Sequence, residues 1–181
     1  MPAFMFPTLN PQPINHYMKT LDTRDLYARK CELESLRDAL NEALEKQAEA
    51  QSELDAFDPE RPDVAPDDEA WHEQKEELEE ALADAESEVE SAKVYFGDDE
   101  IEELEELETL ENEISDFRHG ETMIPESDFE DYARQFAEDI GAITDDAGWP
   151  CTCIDWERAA DELRMDYSEV EYQGTTYLAR A

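Results

Sequence analysis

The sequence predicts a mainly α-helical protein, a long antiparallel helical hairpin or coiled coil followed by a small C-terminal α+β unit of two helices and a β-hairpin. Three observations carry that prediction. Leu and Ala recur at heptad spacing from Leu26 to Phe57 with almost no helix breaker. A second apolar stripe runs from Trp71 to Phe96, behind a turn region holding Pro59, Pro62 and Pro66. Beyond Gly120 the composition changes, and Val170 to Leu178 alternate in the manner of strands. The expected organisation is an extended arm over 1–21, an acidic helical region over 22–117 and a C-terminal domain over 118–181.

Pro2, Pro7, Pro11 and Pro13 interrupt the first residues. Proline lacks an amide donor and disfavours helix in the residue before it, so the arm is read as extended, either disordered or docked through Phe4, Phe6 and Tyr17. Asp22 or Thr23 can cap the first helix, expected from Thr23 to Phe57. Its seam places Leu26, Leu33, Leu40 and Leu54 at heptad position a, and Leu36, Ala43, Ala50 and Phe57 at d, with Arg29 and Gln47 departing. Gln47 either fixes register or marks where the seam loosens. Leu33, Leu36 and Leu40 are the candidate packing or oligomer contacts of this helix.

The second helix is expected to start near Asp67 or Asp68, whose carboxylates suit a helix N-terminus. Its stripe is Trp71, Leu78, Leu82, Ala85, Val89, Ala92 and Phe96, with Trp71 capping the hairpin end. Gly97-Asp98-Asp99 stops it and caps a third helix with Ile101, Leu104, Leu107, Leu110, Ile114 and Phe117 on one face. A linker from Arg118 to Met123 leads to a helix announced by Pro125 and by Ser127 with Glu130, the spacing of a capping box. Phe129, Tyr132, Ala133, Phe136, Ala137 and Ile140 give that helix a broad apolar face. After a loop over 145–150, Asp155 caps a short helix presenting Trp156, Ala159, Ala160 and Leu163. A two-stranded hairpin then turns at Gln173-Gly174. Trp156 and Tyr167 are the tail's candidate packing or dimer contacts.

Charge dominates the composition: 52 acidic against 14 basic residues give a formal net charge of -38. Such a field repels nucleic acid and anionic membranes and steers the chain toward basic protein surfaces. The stretch Glu76–Asp116 holds nineteen Asp or Glu and only Lys93 as a base. A helix rises ~1.5 Å per residue, so this stretch, if helical, carries a carboxylate per ~3.2 Å. One strand of B-DNA carries a phosphate per ~3.4 Å. Like charges four residues apart destabilise an isolated helix, so uniform sign suggests that the charge is used. The candidate partner-binding surface is Glu76, Glu77, Glu79, Glu80, Asp84 and Glu88, then Asp98, Asp99, Glu100, Glu102, Glu103, Glu105, Glu106, Glu108, Glu111 and Glu113.

The tail adds a resemblance. Gly120-Glu121-Thr122, Phe129-Glu130-Asp131-Tyr132-Ala133, Cys153-Ile154-Asp155-Trp156-Glu157-Arg158-Ala159-Ala160 and Met165-Asp166-Tyr167-Ser168 together resemble the C-terminal part of the ArdA-type antirestriction proteins. Those are acidic DNA mimics of phages and mobile elements that occupy the DNA site of type I restriction-modification enzymes. The likeness covers about a third of the chain and implies a phage or prophage setting and anti-defence work. The family's N-terminal and central domains are replaced here by the helical region, so no functional residue carries over.

Catalytic chemistry finds no constellation. Cys151-Thr152-Cys153 offers two thiolates where a closed zinc site needs four ligands, and His16, His72 and His119 are scattered. No phosphate-cradling glycine loop or calcium loop appears, so no cofactor and no metal are expected. Met1 to Pro13 lacks the pattern of a signal peptide, no long apolar run exists, and three cysteines give no disulfide framework. The expected setting is the cytoplasm, that of the host cell if phage-encoded. The expected function is non-enzymatic: an acidic DNA mimic, possible as a homodimer, that binds a basic nucleic-acid-binding protein or host defence complex without touching nucleic acid or membrane. The alternatives are a coiled-coil scaffold protein and an acidic chaperone of a basic partner.

Overall fold

The structure is a computed structural model in which residues 19–57, 69–144 and 148–180 are described. The arm contacts expected of Phe4, Phe6 and Tyr17, and the caps expected of Asp67 and Asp68, lie outside those residues. The chain divides into two compact units, Thr23–His119 and Gly120–Ala181, the latter including the segment that ends at Asp22.

The first unit is all helix: α1 (Thr23–Ala56), α2 (Glu69–Tyr95) and α3 (Asp98–Glu113). The heptad seam of α1 faces inward, with Leu26, Leu33 and Ala43 buried and Leu36, Leu40, Ala50 and Leu54 half-buried. α2 returns antiparallel to α1: Phe57 and Trp71 meet at one end, ring centroids 5.3 Å apart, and Lys46 pairs with Glu88 farther along. Gln47 sits half-buried on the same face. The acidic stretch is therefore not one helix. Phe96 ends α2 as a buried plug, and the Glu100 carboxylate accepts the Gly97 N–H at 3.0 Å, satisfying a donor that would otherwise be orphaned where α3 begins. α3 buries Leu104, Leu107 and Leu110, while Ile101, expected on the same face, is exposed. Ile114 and Phe117 are buried as expected but lie beyond the helix. Ile114 has turned extended, and Phe117 is carried by a turn against Tyr27, ring centroids 6.5 Å apart.

The second unit packs two helices, α4 (Phe129–Asp139) and α5 (Trp156–Arg164), on an antiparallel sheet of order β1-β2-β4-β3. β3 (Tyr167–Tyr172) and β4 (Thr175–Arg180) form the expected hairpin. Its turn residues both have positive φ, 47° at Gln173 and 69° at Gly174, the twist that matches flanking strands. The other two strands were not foreseen. β2 (Thr122–Pro125) takes the end of the expected linker and runs on through Pro125, expected to announce a helix; it pairs Ile124 with Leu178, and β1 (Leu21–Asp22) pairs with it in turn. The core is Ile124, Phe129, Ala133, Ala160 and Leu178, with Tyr132, Leu163 and Tyr167 packed on it. The capping box at Ser127 does not form. A single turn of 3-10 helix, Glu126–Asp128, precedes α4, and the Ser127 hydroxyl bonds to the Asp128 carboxylate instead. Asp155 does cap α5, accepting the Arg158 N–H at 3.2 Å.

Candidate acidic surface

Within the helical unit, thirty-five acidic residues face nine basic ones in sequence, so where the bases go decides where negative charge remains. Three of those on α1, Arg29, Lys30 and Arg37, turn toward α3. Arg29 grips Glu103 through Nε and Nη2, at 3.2 and 2.8 Å, and Arg37 reaches Glu108 at 3.4 Å. Lys30, only 6% exposed, pairs with Glu34 on its own helix and with Glu111 at 3.1 Å. Arg118 closes the row by donating to Glu111 at 2.6 Å while stacking over the Tyr27 ring.

These contacts set the protonation of the row. Burial by itself pulls the Lys30 ammonium down, but hydrogen bonds to Glu34 and Glu111 outweigh it and hold the group above its usual range. The hydrogen bond from Arg118, then that from Lys30, keeps the Glu111 carboxyl below the usual carboxylate range. Arg29 is held firmly protonated by Glu103 and Glu32.

The sixteen carboxylates singled out from sequence thus divide. Glu103, Glu108 and Glu111 are half-buried against α1 bases, and Glu88 pairs with Lys46. Glu79 pairs with Lys75 along α2, and Glu100 serves the α3 N-terminus while half-buried. Glu106 is half-buried on α3. Asp98, Asp99, Glu102, Glu105 and Glu113 are exposed on α3 and have no basic partner among the described residues. Glu76, Glu77, Glu80 and Asp84 stand likewise on α2.

α3 spans ~24 Å. Over that length the five exposed acids and Glu100 keep charges that no described base neutralises, one per ~4 Å, close to the ~3.4 Å phosphate interval of a DNA strand. Between α1 and α2 the seam is thinner: Ala50, Ala81 and Ala85 floor a groove of about 290 Å³, edged by Glu49, Glu53, Asp84 and Glu88 with Lys46.

The other singled-out residues pack within the chain. Leu33 is fully buried, Leu36 and Leu40 are half-buried, and Tyr167 bonds hydroxyl to hydroxyl with Tyr132 at 2.9 Å. Trp156 carries the Arg134 guanidinium over its ring at 5.3 Å. Sequence reasoning missed Lys30. Its signal was faint, a base with Glu34 four residues on, beside rather than within the seam.

Among the described residues, no group of three or more His, Cys, Asp or Glu converges as a metal cluster, and no helix is long and apolar enough to cross a membrane. Set against known protein families, curated proteins and solved structures, the chain has no match.

Proposed function

We propose that this chain is an inhibitor that acts by mimicry, its helical unit lying in the nucleic-acid-binding site of a basic host protein, in a phage-type anti-defence role. The observation that carries this reading is the one-sided disposition of charge on α3. Arg29, Lys30 and Arg37 are drawn onto its inner edge, while Asp98, Asp99, Glu102, Glu105 and Glu113 face solvent, one per ~5 Å of helix against ~3.4 Å per phosphate of a DNA strand. Carboxylates so held replace phosphates opposite Lys and Arg of the target, and binding weakens steeply with salt. The resemblance of the tail to ArdA-type antirestriction proteins supports the same setting. The scaffold alternative needs a seam open to another chain; Leu33 has no exposed surface to give it, and Leu36, Leu40, Ala50 and Leu54 are half-buried.

The test is affinity capture on the immobilised full-length protein from nuclease-treated bacterial lysate, eluted once with duplex DNA and once with salt. A nucleic-acid-binding protein released by duplex DNA is the expected result. Glu102→Lys, Glu105→Lys and Glu113→Lys together then weaken its binding by at least about tenfold and flatten the salt dependence. A partner that DNA leaves in place, or that binds the triple variant unchanged, overturns mimicry.

A further inference from the structure

On α2 the residues turned away from the core change character toward the C-terminal end. Ala85, Val89 and Phe96 are buried. At about 100° per residue, the opposite face over the last turns carries Ser87, Ser91 and Val94, with Tyr95 on its flank. These positions are three or four apart and therefore neighbours on the helix surface. Val94 is 78% exposed and Tyr95 67%, and the Ser91 hydroxyl is folded back onto the Ser87 carbonyl at 2.8 Å. In a chain of net charge -38, the result is an uncharged strip ~12 Å long with two large apolar side chains at one end.

The surroundings of the strip are acidic. Asp84 and Glu86 flank it without a basic partner among the described residues, and Asp98 and Asp99 open α3 just beyond it. Glu90, the acid nearest the strip's centre, is matched by Lys93 at 3.1 Å. A second copy of this chain would bring the same carboxylates against them. An occupant must be basic at its edges and apolar along its middle.

We infer that this face of α2 is a docking strip for a basic amphipathic helix of the partner protein. Ser87 and Ser91 let a helical ridge approach closely, Val94 and Tyr95 receive its apolar side chains, and the flanking carboxylates meet its Lys and Arg. The inference rests on the reading that the acidic unit engages a basic protein. It adds the part of recognition that charge cannot supply, since an apolar anchor is insensitive to salt where ion pairs are screened.

The experiment uses the full-length protein and two monomeric synthetic peptides of one Lys/Leu composition, one with Leu at helical i, i+3, i+4 spacing and one scrambled, titrated at about 0.15 M salt. The wild type is expected to bind the amphipathic peptide about tenfold more tightly than the scrambled one. The double variant Val94→Ser, Tyr95→Ser is expected to bind both equally, with the scrambled affinity and the helical circular dichroism unchanged. The inference is overturned by a wild type that shows no preference, by a double variant that keeps it, or by a dimer that the double variant converts to monomer, which would make a second copy the occupant. The peptide preference and the release of a captured protein by duplex DNA are independent readouts. Preference without DNA release sinks mimicry and leaves the strip standing; release without preference does the reverse.

Discussion

α2 and α3 are alike in sequence, each an acid-rich helix with an apolar stripe, yet α1 holds them by different means. α3 gives α1 three fully or nearly fully buried leucines and receives Arg29, Lys30 and Arg37 in return. α2 buries only Ala85 and Val89 along its length and shares with α1 an exposed ion pair, Lys46 with Glu88. The lesson is that acidity alone does not make an interaction surface. On α3 the inner carboxylates are structural and the outer ones available, whereas α2 spends little charge on the fold and leaves a groove where its alanines face α1.

The largest expected effect tests that difference in packing. Leu107→Ala, at a fully buried position, should cost about 2–5 kcal/mol, whereas Leu82→Ala, half-buried on α2, should cost roughly 1 kcal/mol. Urea midpoints of the two variants check it. Equal losses would mean that the two helices are held alike.

Next comes the charge side of the same contrast. Lys30→Met leaves Glu111 with Arg118 alone and strips Glu34 of its partner, for a loss of roughly 1–3 kcal/mol. Lys46→Met removes only exposed pairs, to Glu42 and Glu88, and should leave the urea midpoint unchanged. A loss from Lys46→Met as large as that from Lys30→Met would erase the distinction between a structural and a solvated pair.

What the sequence made legible follows from periodicity. α1 ends within a residue of its expected limits because heptad spacing over so long a run has one solution, and the Gln173-Gly174 turn was readable from a glycine set between two alternating segments. Short elements carry no such signal. β2 is four residues ending in Pro125, too few to alternate visibly, and becomes a strand because β4 offers Ile124 a partner in register. Phe117 kept helical spacing although the helix had ended, since a turn can return a side chain to the same core. Ser127 had the residues of a capping box, but the backbone tightened into a 3-10 turn and its hydroxyl went to Asp128. For the acidic surface, composition gave its density and only the fold gave its division, because which glutamates α1 neutralises depends on side chains that lie more than seventy residues away in sequence.

The smallest effect sharpens the division at its tightest point, Glu111. Its carboxyl is held below the usual range by Arg118 and then Lys30, so in the folded state it binds its proton less readily than when unfolded. A depressed carboxyl pKa stabilises the fold above the unfolded value, near 4.3, and that contribution is lost as pH falls through the folded value. Glu111→Gln cannot titrate. The wild type should therefore be the more stable of the pair at about pH 7, and the gap should narrow as pH falls below about 4.3 and Glu111 takes up its proton. Glu113→Gln serves as the control, since Glu113 is exposed on α3 with no basic partner among the described residues. It should show no gap of the same sign. Denaturant midpoints for the three proteins across pH 3 to 7 decide it: a gap that persists undiminished at the acid end would mean that Glu111 contributes by packing and that charge pairing does not hold α3 to α1 there.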